Sequence, residues 1–239
     1  MRVLWALAAV IAIGGIAAAS NSQKRLAGET GWRDSFDVRK PDLLPHGNNP
    51  YITMQPGRVL KLRHGNDTLT VTVLPDITDV DGIKAGVLEE RETKGGKLVE
   101  VSRNFLATDT NTQDVYYFGE DVDNYKNGKV IDHESAWHAG ERGARFGLMI
   151  PAKPAVGQRF YQEIAPKVAM DRVEVVSIDD TVKTPAGIPR QGAVPEQLGA
   201  SGEIGLRPSG CANGTVWHVR VTGCPIFIFV LMYSLYSTN

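Results

Sequence analysis

Between positions 58 and 74 apolar and polar residues change places at almost every step. Leu69, Val71 and Val73 fall on one side of an extended chain, and Thr68, Thr70 and Thr72 on the other. A period of two marks a half-buried antiparallel strand, and threonine suits its outer face. The pattern predicts strands over 58–64 and 67–74, joined through His64-Gly65-Asn66-Asp67 as a tight turn. The same texture predicts strands over 86–92 and 97–106 around Thr93-Lys94-Gly95-Gly96. Further strands are expected over 114–120, 123–126, 129–133, 158–164, 172–177 and 181–184. Asn127-Gly128 is the strongest hairpin signal in the chain. The stretch 140–157, with Pro151 and Pro154, reads as a long loop crossing one end of the sheet. No segment carries a sustained 3.6-residue stripe, and no 20–50-residue repeat occurs. The expected fold is mainly β: an antiparallel meander forming one curved sheet or a half-open barrel.

The chain ends differ from this middle. Met1-Arg2 precedes an apolar run over 3–19 that finishes in Ala17-Ala18-Ala19 and turns polar at Ser20. A basic start, an apolar centre and a small-x-small end describe a secretory signal peptide, cleaved after Ala19. The competing reading is an uncleaved anchor, for which 17 residues is the lower limit of span. Export to the periplasm or medium is expected, with no transmembrane helix in the mature chain. Residues 20–48 mix charge, Gly and Pro and read as a flexible leader, and 49–188 as the β domain.

The C-terminal fifth, 189–239, holds five charged residues in 51, against 48 in the preceding 188. The run Ile226 to Tyr233 is apolar and β-prone, too short for a membrane helix and an aggregation hazard if exposed.

The 239 residues carry 26 Lys+Arg and 27 Asp+Glu, for a net charge of −1. No basic excess is available for a nucleic-acid backbone, so nucleic acid is excluded as a partner. Only Cys211 and Cys224 occur, which rules out a disulfide framework and a four-cysteine zinc site.

A string of motifs runs through the domain. It begins Val115-Tyr116-Tyr117-Phe118-Gly119-Glu120-Asp121-Val122 and Tyr125-Lys126-Asn127-Gly128-Lys129-Val130. Trp137, Ala139-Gly140, Gly143-Ala144, Gly147, Met149-Ile150-Pro151-Ala152, Pro154, Val156-Gly157 and Tyr161-Gln162-Glu163 follow, with Asn49-Pro50-Tyr51 and Pro56-Gly57 upstream. Over 49–188 the chain resembles a family of exported bacterial proteins that has no assigned activity. The resemblance implies export and a mostly β fold. Similar proteins tend to carry an acidic residue where this chain has His138, so the resemblance lends that histidine no role.

Similar proteins also tend to end with a strand reading Glu-Lys-x-x-Tyr-Ala-Pro. Synonymous codons for Gly202-Glu203-Ile204-Gly205-Leu206-Arg207-Pro208, read one nucleotide later, can spell Glu-Lys-Leu-Val-Tyr-Ala-Pro. The tail is therefore read as the product of a frame shift near residue 188. The alternative is a true closing strand at 226–233 behind a Gly/Pro-rich linker.

Candidate chemistry is sparse. Glu120, Asp121 and Asp123 beside Asn124 could supply oxygen ligands to Ca²⁺, but Tyr125 breaks the ligand set and a tight hairpin at 127–128 would prevent wrapping. His133 and His138 lie five apart, and in a strand such positions face opposite ways, which excludes a zinc-protease helix. Ser135 near His133 and Asp132 is sequence adjacency, not triad geometry, and no Gly-x-Ser-x-Gly elbow occurs. No residue is assigned a catalytic, cofactor-binding or metal role, and no cofactor is expected. Tyr116, Tyr117, Phe118, Trp137, Phe146, Phe160 and Tyr161 concentrate aromatics in one third of the chain, as a sheet core or as an apolar pocket.

The functional expectation is a non-catalytic, envelope-associated module that holds an apolar small molecule or an envelope protein. A secreted hydrolase with catalytic residues on loops, and a Ca²⁺-stabilised structural module, are the alternatives.

Overall fold

The computed structural model describes residues 31–64, 66–181, 203–206 and 215–222. The apolar run 3–19 with its cleavage point, and the run 226–233, lie outside these residues. In chain order the strands are β1 (Leu43–Leu44), β2 (Val59–His64), β3 (Asp67–Val80), β4 (Ile83–Lys94), β5 (Lys97–Asp109), β6 (Val115–Lys126) and β7 (Lys129–Asp132). They continue with β8 (Trp137–His138), β9 (Arg145–Ile150), β10 (Arg159–Tyr161), β11 (Glu163–Ile164), β12 (Arg172–Thr181), β13 (Glu203–Leu206) and β14 (Thr215–Thr222). Among the described residues no helix is long and apolar enough to cross a membrane.

The protein is mainly β. Ten strands form one antiparallel sheet in the order β11-β9-β6-β5-β4-β3-β2, which is not closed into a barrel. β1 adds to the far end of β5, while β7, β8 and β9 share one edge of β6. Each of the ladders β3–β4, β4–β5 and β5–β6 carries a register shift, the local irregularity that bends a strand and raises its twist. Four strands stand in a second antiparallel sheet, ordered β10-β12-β14-β13.

The turn chemistry acts as the sequence predicts. Asn127 and Gly128 have φ of 53° and 76°, and Lys126 pairs with Lys129 across them. A two-residue turn with both central residues at positive φ matches the right-handed twist of its strands.

Two elements differ from expectation. β3 does not stop at 74. It passes Pro75 inside the register shift between Val73 and Ile77, then turns at Asp81-Gly82. Proline lacks a donor for the ladder, and a shift is where a strand tolerates that. The stretch 140–157 is no simple loop: it contains β9, which pairs with both β6 and β11. Its Leu148, Met149 and Ile150 are all buried, so it has no period of two to recognise.

The core lies on both sides of β6, where every residue from Val115 to Glu120 is buried. On one side Tyr116 and Phe118 pack with Phe146, and Phe36 joins them at 5.7 Å from Tyr116. On the other, Tyr117 meets Trp137 edge-on at 5.0 Å. The aromatic third of the chain is thus core on two faces. Phe36 and Leu43, from the segment preceding Tyr51, are part of it.

Candidate functional site

Two groups of polar side chains are built around β6, one inside and one outside. The inside group begins with a register fact. Asn104 on β5 stands opposite Glu120 on β6, and Glu120 stands opposite Trp137 on β8. On β4, Glu90 pairs with Ser102, two residues along β5 from Asn104, so it shares their face. The shift between Phe105 and Leu106 then brings Tyr117 to this side. Its hydroxyl donates to Asn104 Oδ1 at 3.0 Å, and Asn104 Nδ2 donates to Leu88 O at 3.3 Å. Glu163 accepts the backbone N–H of Asp171 at 2.7 Å.

These groups are buried with no basic residue among them. Burial pushes the Glu120 carboxyl up to about 8, and the charge of Glu100 adds to the effect while a hydrogen bond with Tyr117 opposes it. Glu90 is pushed well above the ordinary range by burial, then by Glu120 and Glu100. Burial, then Asp171, does the same to Glu163. At neutral pH Glu120 therefore keeps its proton, the cheaper state for an acid away from water. Among the described residues Glu90 Oε1, Glu163 Oε2 and Trp137 Nε1 are buried without a hydrogen-bond partner.

The outside group follows from alternation along the same strand. Asp121 and Asp123 face away from Glu120, so the three acidic residues do not converge on one ion. Asp123 is taken by Arg103 at 3.1 Å and by His133 at 3.0 Å. Asp121 meets His138 Nε2 at 3.0 Å, and Glu141 approaches the other ring nitrogen at 3.6 Å. His133 and His138 thus serve different carboxylates. Among the described residues no three His, Cys, Asp or Glu side chains are grouped to hold a metal ion.

His138 is placed by a close backbone approach. A Cβ at Gly119 would lie 2.5 Å from Trp137 O, so β8 can pair there only with glycine. Beside it opens a cleft of about 210 Å³. Trp137, Ala136, Ala144, Ala165, Pro166 and Val168 give it apolar walls, and Asp121, His138, Glu141 and Arg142 stand among them. Ser135 does not line it, nor does any other Ser, Thr or Cys. His138 Nε2 is hydrogen-bonded to Asp121, and the cleft offers the ring no hydroxyl or thiol to activate. What the arrangement can do is hold an apolar group near two negative charges.

The sequence drew attention to Glu120, Asp121, Asp123, His133 and His138, but not to how they divide between an inside and an outside group. The cleft could be sought from the pairing of Gly119 with a following Trp-His, but only once β8 is known to return to β6. No protein-family model, curated protein or solved structure matches the chain.

Proposed function

We propose that the chain is an exported, envelope-associated binding module that seats an apolar group in the cleft beside His138 without transforming it. The group belongs to a small molecule or to a side chain of an envelope protein. The single observation that carries this reading is the composition of the cleft: apolar walls, carboxylates on the rim and no hydroxyl or thiol side chain. At about 210 Å³ it is smaller than the roughly 300–1,000 Å³ of a drug-sized pocket, which favours one ring or one side chain over a whole ligand. Export rests on the signal-like pattern of residues 1–20 and on the family resemblance.

The hydrolase alternative draws on the contact of Asp121 with His138 in a cleft, but no hydroxyl or thiol lines that cleft beside them. Benzylamine, an apolar ring with one positive charge, is a suitable probe. Saturable shifts of the Trp137 indole resonance are expected on titration, and Ala136→Trp, which fills the cleft, removes them. Absence of saturation in the parent chain overturns the binding site. Fractionation of an expressing bacterium tests the location separately, and a cytoplasmic product that keeps Met1 overturns export.

A further inference from the structure

On the second sheet arginines and aromatic rings are interleaved. Tyr161 on β10 pairs with Arg172 on β12, and Arg159 pairs with Glu174. The N-terminal segment joins this edge. Arg33 N donates to Arg159 O at 3.0 Å, and Tyr161 N donates to Arg33 O at 2.9 Å. Trp32 is thereby held over the strand pair. The Arg172 guanidinium lies 5.2 Å from the Trp32 ring centre and 5.6 Å from that of Tyr161, and Arg159 lies 5.6 Å from Trp32. Arg33 rests on Phe36 at 4.6 Å.

Not all of this charge is neutralised. Arg159 is paired with Glu174 at 2.8 Å, and Arg145 meets Asp34 at 3.5 Å. Asp114 feels the charge of Arg33, but its carboxyl is occupied by the N–H of Ala152 at 2.8 Å. Among the described residues neither Arg33 nor Arg172 has a carboxylate at ion-pair distance. A guanidinium held against aromatic rings keeps its donors in the plane of the group, and it has already lost the rotamer freedom that an anion would otherwise cost it. Such a fork suits a tetrahedral oxyanion.

We propose that Arg172, braced by Trp32 and Tyr161 and flanked by Arg33 and Arg159, forms a surface site for a phosphate-type oxyanion. The surplus of two positive charges, Arg33 and Arg172, matches a phosphate monoester. The same chemistry occurs on a free phosphate ester and on an anionic lipid headgroup. The site shares no residue with the cleft, so its failure leaves the cleft reading untouched.

The test uses the full chain, titrated with glycerol phosphate at constant ionic strength while indole fluorescence and the Arg Nε–H resonances are followed. Saturable binding is expected. Arg172→Gln should weaken it about tenfold or more, the scale on which one charge-assisted contact is felt. Arg172→Lys should recover only part, because it restores the charge and not the fork. Arg33→Gln gives a second reading if the first variant does not fold. Flotation with vesicles containing phosphatidic acid, a lipid phosphate monoester, against phosphatidylcholine vesicles, separates the sources: co-flotation lost in Arg172→Gln assigns the lipid headgroup, and soluble binding alone assigns a free ester. No saturation by glycerol phosphate, an equal response to sodium chloride, or equal affinity in parent and Arg172→Gln overturns the site.

Discussion

Glu120 and Asn104 stand directly opposite each other on neighbouring strands, both buried, with the Tyr117 hydroxyl reaching across to Asn104. A glutamate in that position keeps its proton to about pH 8, whereas an ordinary one loses it near 4.5. Between those values the folded chain binds more protons than the unfolded chain. This group's contribution to stability is therefore greatest below 4.5, declines as pH rises through the window, and levels off above about 8. The urea midpoint should fall measurably between about pH 5 and about pH 8, and Glu120→Gln should flatten the slope. An unchanged slope in the variant would show that other groups set the pH response.

The Asn127-Gly128 turn gives a sharper local test. Gly128 has φ of 76°, a conformation that a β-branched residue resists. Gly128→Val should lower stability by about 1 kcal/mol or more. A denaturation midpoint equal to that of the parent would argue that the turn is not formed.

Asp121→Asn separates stability from binding. The carboxylate is half-exposed and its contact with His138 is a surface ion pair, so stability should shift by less than about 1 kcal/mol. Benzylamine should nevertheless bind more weakly, because one of the two rim charges is gone. Titration of this variant with an affinity like that of the parent would remove Asp121 from the site.

The tail can be tested by truncation after Ile188, which removes β13 and β14. Arg172, Val173, Glu174 and Val175 on β12 would lose their partners Thr222, Val221, Arg220 and Val219. Backbone amides of β12 should then exchange faster while those of β3 to β6 remain protected. Unchanged exchange across β12 would mean that the pairing with β14 contributes nothing, as expected of a tail translated out of frame.

Most of the sheet was legible in the sequence because its outer strands obey the period of two. Thr68 to Val73 alternates without exception, and the Gly95-Gly96 and Asn127-Gly128 turns both hold positive φ. Legibility failed where that period failed. β9 is covered on both faces and reads as a plain apolar run. Asp81-Gly82 is a hairpin dipeptide of the same kind as Asn127-Gly128, but the alternation that leads to it breaks at Leu74-Pro75-Asp76. Thr215 to Thr222 does alternate, with Trp217, Val219 and Val221 against His218, Arg220 and Thr222, but its signal is weaker than that of the more apolar run that follows.

The buried carboxyls were hidden for a different reason. Glu89, Glu90 and Glu92 look alike in a sequence, and only Glu90 is buried. For Glu120, the register shift moves Tyr117 onto its side of the sheet, where strict alternation would have placed Phe118. Trp32 and the arginines carried no local signal at all, since they meet only when three distant segments pair.

The order of strands from β2 to β6 in space is their order along the chain. Each new strand therefore finds its neighbour already present, a few residues behind, and the loop to be closed stays short. A chain that leaves a narrow channel end first can zip up such a sheet as it emerges, with no wait for distant sequence. The exceptions are few: β1 pairs with β5, β9 pairs with β6 across the β7 and β8 segments, and β11 pairs with β9, so these contacts close longer loops. The carboxyls beside Tyr117 lie where the two kinds of connection meet: Glu90 and Glu120 sit on the sequential strands and Glu163 on β11, so their interior is shared by short-range and long-range pairing.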